Sequence, residues 1–357
     1  MSTILLLSKG LARYRQLFTE HFARALPPEV QVIACPYAKG GVLWEVDFPA
    51  LKAANGRVSY RDFPESQAEI AAMKPDLIGI MDYPVPMLRA LAYGRRHKVP
   101  VVVFTEMGDG PPRQPVALRT RLVHKLMAHF TQGQVAHSPA AITPFGAASR
   151  PVIFAPHSID TTEFVPRAWT EAKGSQPCRL LCVAQYVERK GQDLLASALQ
   201  RVKAAGLPFT LRLVGNNDDQ SWVRRVINEA GIAGETTVTG PKLGADLIAE
   251  FQQADVFVLP SRFDTYGVVT QEAAASGLPL LISRHAGSSI NLVKEGQNGH
   301  VINPDNPACF AARLQDVMSH PQRWPAMGAV SRSLAETFCV RRVGAEVAHW
   351  MQPMLRN

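Results

Sequence analysis

The feature that most constrains this chain is an alternation: short, β-rich and mostly apolar runs, each followed by a stretch with helical spacing. A run without a polar face predicts a strand buried on both sides, the state of parallel strands covered by helices. The alternation predicts an α/β architecture assembled from βαβ units. In the first half the expected strands are Ile4–Leu7, Val30–Ala34, Leu77–Met81, Val99–Phe104 and Val152–Ala155, with helices such as Leu11–Leu26 and Pro86–His97 between them. A second series follows: strands at Leu180–Ala184, Phe209–Val214, Thr236–Thr239, Val256–Leu259, Leu280–Ser283 and His300–Ile302, and helices around Gln192–Ala205, Trp222–Ala230, Leu247–Gln253 and Val268–Ser276.

The stretch between the two series is rich in Thr, Pro, Lys and Gly and has no period, which marks a linker. The expected organisation is therefore a Rossmann-like unit over 1–160, a linker over 161–177, a second Rossmann-like unit over 178–335, and a C-terminal helix over 336–357 packing back on the first unit. Two doubly wound units in succession imply an interdomain cleft. Ligands of such sheets bind at the carboxyl ends of the strands. Fold alone does not select the chemistry: a dehydrogenase, epimerase or phosphorylase shares this outline.

Composition narrows the class. With 46% hydrophobic and 19% charged residues and no low-complexity tract, the chain is a folded protein and not a disordered one. Its formal charge of +8 suits polyanionic company, whether nucleic acid, an anionic membrane or phosphorylated substrates. No nucleic-acid-binding signature accompanies the charge, so no nucleic-acid partner is expected. Five scattered cysteines, only Cys178 and Cys182 close together, read as reduced thiols in a cytoplasmic protein. The apolar start is too short for a signal peptide and reads as a first buried strand, so any membrane attachment is expected to be peripheral.

The most informative segment runs from Asp255 to Pro279. A buried strand ends at Pro260, a polar loop follows, and a helix starts near Gly267 and stops at Gly277. Gly267 lets the backbone approach a ligand, and the free N–H groups beyond it suit an anion such as a diphosphate, so Tyr266, Gly267 and Val268 are expected at the donor. Asp264 in the loop and Glu272 in the helix can face one ligand from two sides, as acceptors for sugar hydroxyls. Taken singly, each is more simply a solvated acid. A second segment, Leu180–Leu195, feeds a strand into a loop holding Gln185, Arg189 and Lys190. Cations there can neutralise a leaving diphosphate, the plain alternative being a basic turn in water.

The Asp264–Glu272 segment resembles the acid–seven residues–acid motif of the family four retaining glycosyltransferases, which have the GT-B fold. The resemblance implies that Asp264, standing where that family usually has Glu, holds donor-sugar hydroxyls, and that Glu272 holds the ribose. Lys190-Gly191 match the family's Lys-Gly, while Ala184-Gln185 replace its Gly-Arg, and Arg189 is the cation placed to compensate. Leu213-Val-Gly215, Val238-Thr-Gly240, Ser283-Arg-His-Ala-Gly-Ser and Gly296-Gln-Asn-Gly299 continue the likeness through residues 150–340.

In the first half, Ala155-Pro-His-Ser-Ile-Asp160 resembles the family's linker entry, and Ser8-Lys9-Gly10 lies where relatives carry glycines near the diphosphate. Gly10 is accordingly expected at the donor. After Val99–Phe104, where many relatives have a His beside the reacting sugar, this chain has Thr105-Glu106-Met-Gly-Asp109. Glu106 or Asp109 is the candidate replacement, with helix capping or loop hydration explaining them equally well. His137 reads as structural, near a strand end. Arg113–Phe130 is basic, with Leu118, Leu122, Leu126 and Phe130 at i+4 spacing. It suits an anionic bilayer or polyanionic acceptor, or else a helix with its stripe in the core.

The resemblance implies a retaining transfer from a UDP- or GDP-sugar to a hydroxyl acceptor, in cell-envelope polysaccharide or glycolipid synthesis. It implies no cofactor and no metal, and Asn216-Asn-Asp-Asp219 reads as a turn. The alternatives are another GT-B enzyme (a sugar-nucleotide epimerase or a phosphorylase) and a non-catalytic sugar-nucleotide-binding protein.

Overall fold

A computed structural model describes residues 2–37, 47–54, 56–81, 85–106, 122, 127, 129–138, 141, 150–166, 168–169, 177–216 and 220–355. The chain divides into two compact units: Met1–Asp160 with Cys339–Asn357, the N-terminal unit, and Thr161–Phe338, the C-terminal unit.

The N-terminal unit is a seven-stranded sheet formed by β1 (Ser2–Ser8), β2 (Val30–Pro36), β3 (Val58–Tyr60), β4 (Leu77–Met81), β5 (Val101–Thr105), β6 (Gly133–Ala136) and β7 (Val152–Phe154). The spatial order is β3-β2-β1-β4-β5-β6-β7, and every pairing is parallel. β4 and β5 are buried along their whole length, as strands covered on both faces must be. Leu5, Leu7, Ile33, Ile78, Ile80, Val101 and Val103 form one core with Ile70 and Leu91 from covering helices.

The helix Arg13–Ala25 buries Phe18 and Phe22 at i, i+4 spacing, and Leu26-Pro27-Pro28 stops it. The helix Val340–Met351 lies against it so closely that a Cβ on Gly344 would sit 2.9 Å from the Phe22 backbone nitrogen.

The strands β3 and β6 were not expected. β3 is a three-residue edge strand, too short to carry a period. In β6 the central Gln134 breaks the apolar run, yet its side chain is buried because Nε2 donates to Thr105 Oγ1 at 2.9 Å and to the Ala141 carbonyl at 2.6 Å. Pairing the amide donors lowers the cost of burying such a side chain, and periodicity alone cannot foresee it.

The C-terminal unit is a six-stranded sheet of β8 (Cys178–Val183), β9 (Phe209–Val214), β10 (Thr236–Thr239), β11 (Val256–Leu259), β12 (Leu280–Ser283) and β13 (Gly299–Ile302), ordered β10-β9-β8-β11-β12-β13 and parallel throughout. Leu180, Leu211, Leu213, Val256 and Val258 pack against Leu195, Leu199 and Val202 of the helix Gln192–Ala204 and Phe310 and Leu314 of the helix Pro307–Met318.

Thr161–Phe164, read from the sequence as part of a linker, is held within this unit. Arg332 Nη1 donates to the carbonyls of Thr161, Phe164 and Ala275 at 3.0, 2.6 and 2.6 Å. All five cysteines are free thiols, four of them buried. Among the described residues, no helix is long and apolar enough to cross a membrane.

Candidate functional site

The loops leaving β8 and β11 are laced together. After β8, Tyr186 turns inward, its hydroxyl 2.9 Å from the Leu213 carbonyl and 2.5 Å from that of Thr239. Gly191 then takes the left-handed conformation (φ 74°), with a space so tight that a Cβ would lie 2.2 Å from the Pro260 carbonyl oxygen. Only glycine fits, which accounts for the Lys-Gly pair. Across the gap, the Arg189 carbonyl accepts from Arg262 N at 2.9 Å, and Arg189 Nη1 donates to the Phe263 carbonyl at 3.0 Å. The exposed Arg189 is thus an anchor between the two loops.

This lacing sets the chemistry. Lys190 Nζ lies 2.5 Å from Asp264 Oδ2, with both side chains largely buried. The structure therefore brings together two residues 74 positions apart that the sequence had marked separately. Asp264 is fixed from its other side as well: its N–H donates to the His285 carbonyl at 3.0 Å, and its own carbonyl accepts from Gly287 at 3.2 Å.

Gly267 follows at φ 85°, where an added Cβ would meet Leu259 Cδ2 at 2.9 Å. The helix Val269–Ala275 then carries the half-buried Glu272 in its first turn. Val268 and Val269 are partly exposed, and the Gly267, Val268 and Val269 N–H groups have no protein partner among the described residues. Tyr266 is different. Its side chain is 1% exposed, its hydroxyl accepts from Asn291 Nδ2 at 3.1 Å and its carbonyl accepts from Ser288 N at 2.9 Å, so it acts as an anchor of the loop. Burial pushes its phenol well above the ordinary range. Gln185 is half-buried, its carbonyl accepting from Gln192 Nε2 at 2.7 Å.

Gly10 and Glu106 belong to the N-terminal unit, at the carboxyl ends of β1 and β5. The Gly10 carbonyl accepts from Ser8 Oγ at 2.9 Å. Glu106 is the centre of a charged cluster: Arg15 donates to its Oε1, and His157 Nε2 lies 2.9 Å from the same atom. Burial pushes the Glu106 carboxyl up, but His157 and then Arg15 reverse this and hold it well below the usual carboxylate range.

His157 stacks on His137 with ring centroids 4.3 Å apart. Burial, followed by the nearby His157, lowers His137 to about 3, so its imidazole is neutral. Arg15 and His157 were missed from sequence. Their bonds to Glu106 span 91 and 51 residues, and no local pattern signals them. Asp109, residues 113–121 of the basic segment and 217–219 of the polar turn lie outside the described residues. Among the described residues, no group of three His, Cys, Asp or Glu side chains is placed to hold a metal.

With this geometry in place, the comparisons with known proteins can be set beside it. Residues 177–320 match the family described as Glycosyl transferases group 1. The chain is similar to a GDP-mannose-dependent alpha-(1-6)-phosphatidylinositol monomannoside mannosyltransferase of Mycolicibacterium smegmatis (28% identity over 208 residues, 54% of each chain). It is also similar to a putative colanic acid biosynthesis glycosyltransferase, WcaL, of Salmonella typhimurium (27% over 202 residues, 54% of this chain and 49% of that one). The chain thus spans about half the length of these curated relatives. Among solved structures, HepE of Anabaena in complex with UDP superposes with a TM-score of 0.77 at 17% identity, covering 99% of this chain and 100% of that one. Sucrose-phosphate synthase of Thermosynechococcus elongatus gives 0.74 at 17%, covering 99% of each. These likenesses show the fold, which is GT-B.

Proposed function

We propose that the protein is a retaining glycosyltransferase that moves a sugar from a UDP- or GDP-sugar to a hydroxyl acceptor, in cell-envelope polysaccharide or glycolipid synthesis. The observation that carries this reading is the Lys190–Asp264 pair, held 2.5 Å apart beside the unpartnered N–H groups of Gly267, Val268 and Val269. An anionic, hydroxyl-rich donor can divide that pair. The diphosphate takes Lys190 and the backbone N–H groups, and Asp264 turns to accept from sugar hydroxyls. Glu272 takes the ribose hydroxyls.

In the reaction the acceptor oxygen bonds to the anomeric carbon on the face that the nucleotide leaves. The carbon–oxygen bond to phosphate breaks, and the acceptor proton passes to the departing phosphate oxygen. Lys190 opposes the negative charge that develops there. The residues in this scheme require no metal, and no cofactor beyond the donor. In this reading Arg189, Gln185 and Tyr266 shape the donor pocket, and five free thiols fit a cytoplasmic protein.

The formal charge adds a partner. The N-terminal unit holds 21 lysines and arginines against 13 acids, and the C-terminal unit 17 against 17, so the whole excess of +8 lies in the N-terminal unit. An anionic acceptor or membrane surface belongs to that half. Cosedimentation with anionic vesicles that disappears in neutral vesicles and at raised salt tests this.

The primary test is binding and hydrolytic release across a panel of UDP- and GDP-sugars, comparing the native chain with Glu272→Ala. Donor-selective binding that weakens in the variant supports the site and names the sugar. No binding to any donor by a folded native chain sinks it.

A further inference from the structure

The cluster around Glu106 has features that a structural ion pair does not need. Its carboxylate is fixed: Arg15 and His157 both hold Oε1, and His157 is itself gripped between the edge of Tyr14 at 5.0 Å and the face of His137 at 4.3 Å. His137 Nδ1 lies 2.6 Å from the Ala155 carbonyl, which can only accept, so the proton is on Nδ1 and Nε2 is an acceptor. Ser158 is 2% exposed and, among the described residues, its Oγ has no partner, an arrangement that is costly unless something fills it.

These side chains line one small cavity of about 20 Å³ at the carboxyl ends of β4, β5 and β6, with Phe18, Met81 and Phe104 as its apolar wall. That is room for about one water-sized polar group. The site offers fixed acceptors and, among the described residues, one unpaired hydroxyl, which together match an alcohol O–H.

We propose that this cavity is a subsite for one hydroxyl of a polyol, the acceptor of the transfer, with Glu106 as its fixed hydrogen-bond acceptor and Arg15 and His157 as the residues that position it. The proposal rests on the glycosyltransferase reading for the word acceptor, but the binding itself does not. Because the carboxyl is held ionised far below neutral pH, Glu106 acts by accepting a hydrogen bond and not by removing a proton.

The test uses the full chain and a panel of free hexoses, hexitols and cyclitols, read by the ring ¹⁵N resonances of His137 and His157. The expected result is that at least one polyol shifts both rings saturably. Ser158→Ala, which removes one oxygen and keeps the backbone, and Glu106→Gln should each weaken that binding about tenfold, as loss of one buried hydrogen bond does. His157→Leu should let the Glu106 carboxyl titrate at higher pH and weaken the polyol, while His157→Gln, which keeps a donor without the charge, should restore polyol binding. A merely structural His157 would not move the carboxyl titration selectively. No polyol shifting either ring, or Ser158→Ala and Glu106→Gln binding as tightly as the native chain, overturns the proposal. Nucleotide-sugar binding measured on the same samples separates the two readings. Donor binding without polyol binding removes only the subsite, and polyol binding without donor binding removes only the transferase.

Discussion

Each unit clamps the start of its central strand with an aspartate that opens the neighbouring strand. In the N-terminal unit Asp76 accepts from Thr3 N at 2.8 Å and donates its own N–H to the Thr3 carbonyl at 2.8 Å. In the C-terminal unit Asp255 does the same with Arg179, again at 2.8 and 2.8 Å, and takes the Arg179 guanidinium besides. At the opposite, carboxyl ends of the strands the units part company. The C-terminal unit builds its charged pair from two loops, each with its own motif. The N-terminal unit gathers Arg15, Glu106, His137 and His157 from four separate places in the chain. The same scaffold therefore carries two kinds of site: one written in contiguous segments, the other only in the folded sheet.

The comparison breaks most visibly at Lys190. Lys190→Ala should lower transfer by about 10²–10³-fold, the loss expected when a group opposing developing charge is removed. It should leave the N-terminal unit untouched. Initial rates with a saturating donor, alongside hydrogen exchange in β1 and β4, check both halves of that statement. Unchanged turnover would remove Lys190 from the mechanism.

That division explains what could be read in advance. All six strands of the C-terminal unit could be bounded to within two residues, because short β-rich runs there are set off by glycines with a mechanical duty, as at Gly191 and Gly277. Lys190, Asp264, Gly267 and Glu272 could be singled out as candidates because each lies in a strand–loop–helix segment that reads from the sequence. The pairing of Lys190 with Asp264 was not legible, since it depends on β8 lying beside β11. Nothing local marks Arg15 or His157 either, as each acts on Glu106 across a different crossover. Gln134 hid β6 for a third reason, being a polar residue buried with its Nε2 donating to two oxygens of the interior.

The shared aspartate clamp is the next point of comparison. Asp255 is fully buried and Asp76 is not. Asp255→Ala leaves the Arg179 N–H without its acceptor in a sealed site and should cost about 3 kcal/mol. Asp76→Ala, where water can substitute, should cost about 1 kcal/mol. Denaturant midpoints combined with hydrogen exchange resolved by unit would show each loss confined to its own sheet. Equal losses would mean that burial is not what separates the two clamps.

Acid should distinguish the units more gently. In the N-terminal unit His137 falls from an ordinary 6.5 to about 3, chiefly through burial, so between those values the unfolded chain binds a proton that the folded chain refuses. Stability then rises with pH across that window: it is intact above about 6.5 and is lost as pH falls toward 3. At pH 5 the loss is about 2 kcal/mol for a single group. Glu106 has the same sign but acts lower, its contribution being present above its ordinary 4.5 and lost as pH drops further. In the C-terminal unit, Glu295 and Asp316 are likewise held low, so what they contribute disappears only in that more acidic range. The N-terminal unit should therefore soften first, between pH 6.5 and 5, while β8–β13 keep their protection. His137→Asn places an amide N–H near the Ala155 carbonyl without a titrating ring, and should flatten that slope while lowering stability slightly at pH 7. A slope that survives in His137→Asn would assign the acid sensitivity to another group and leave His137 as packing alone.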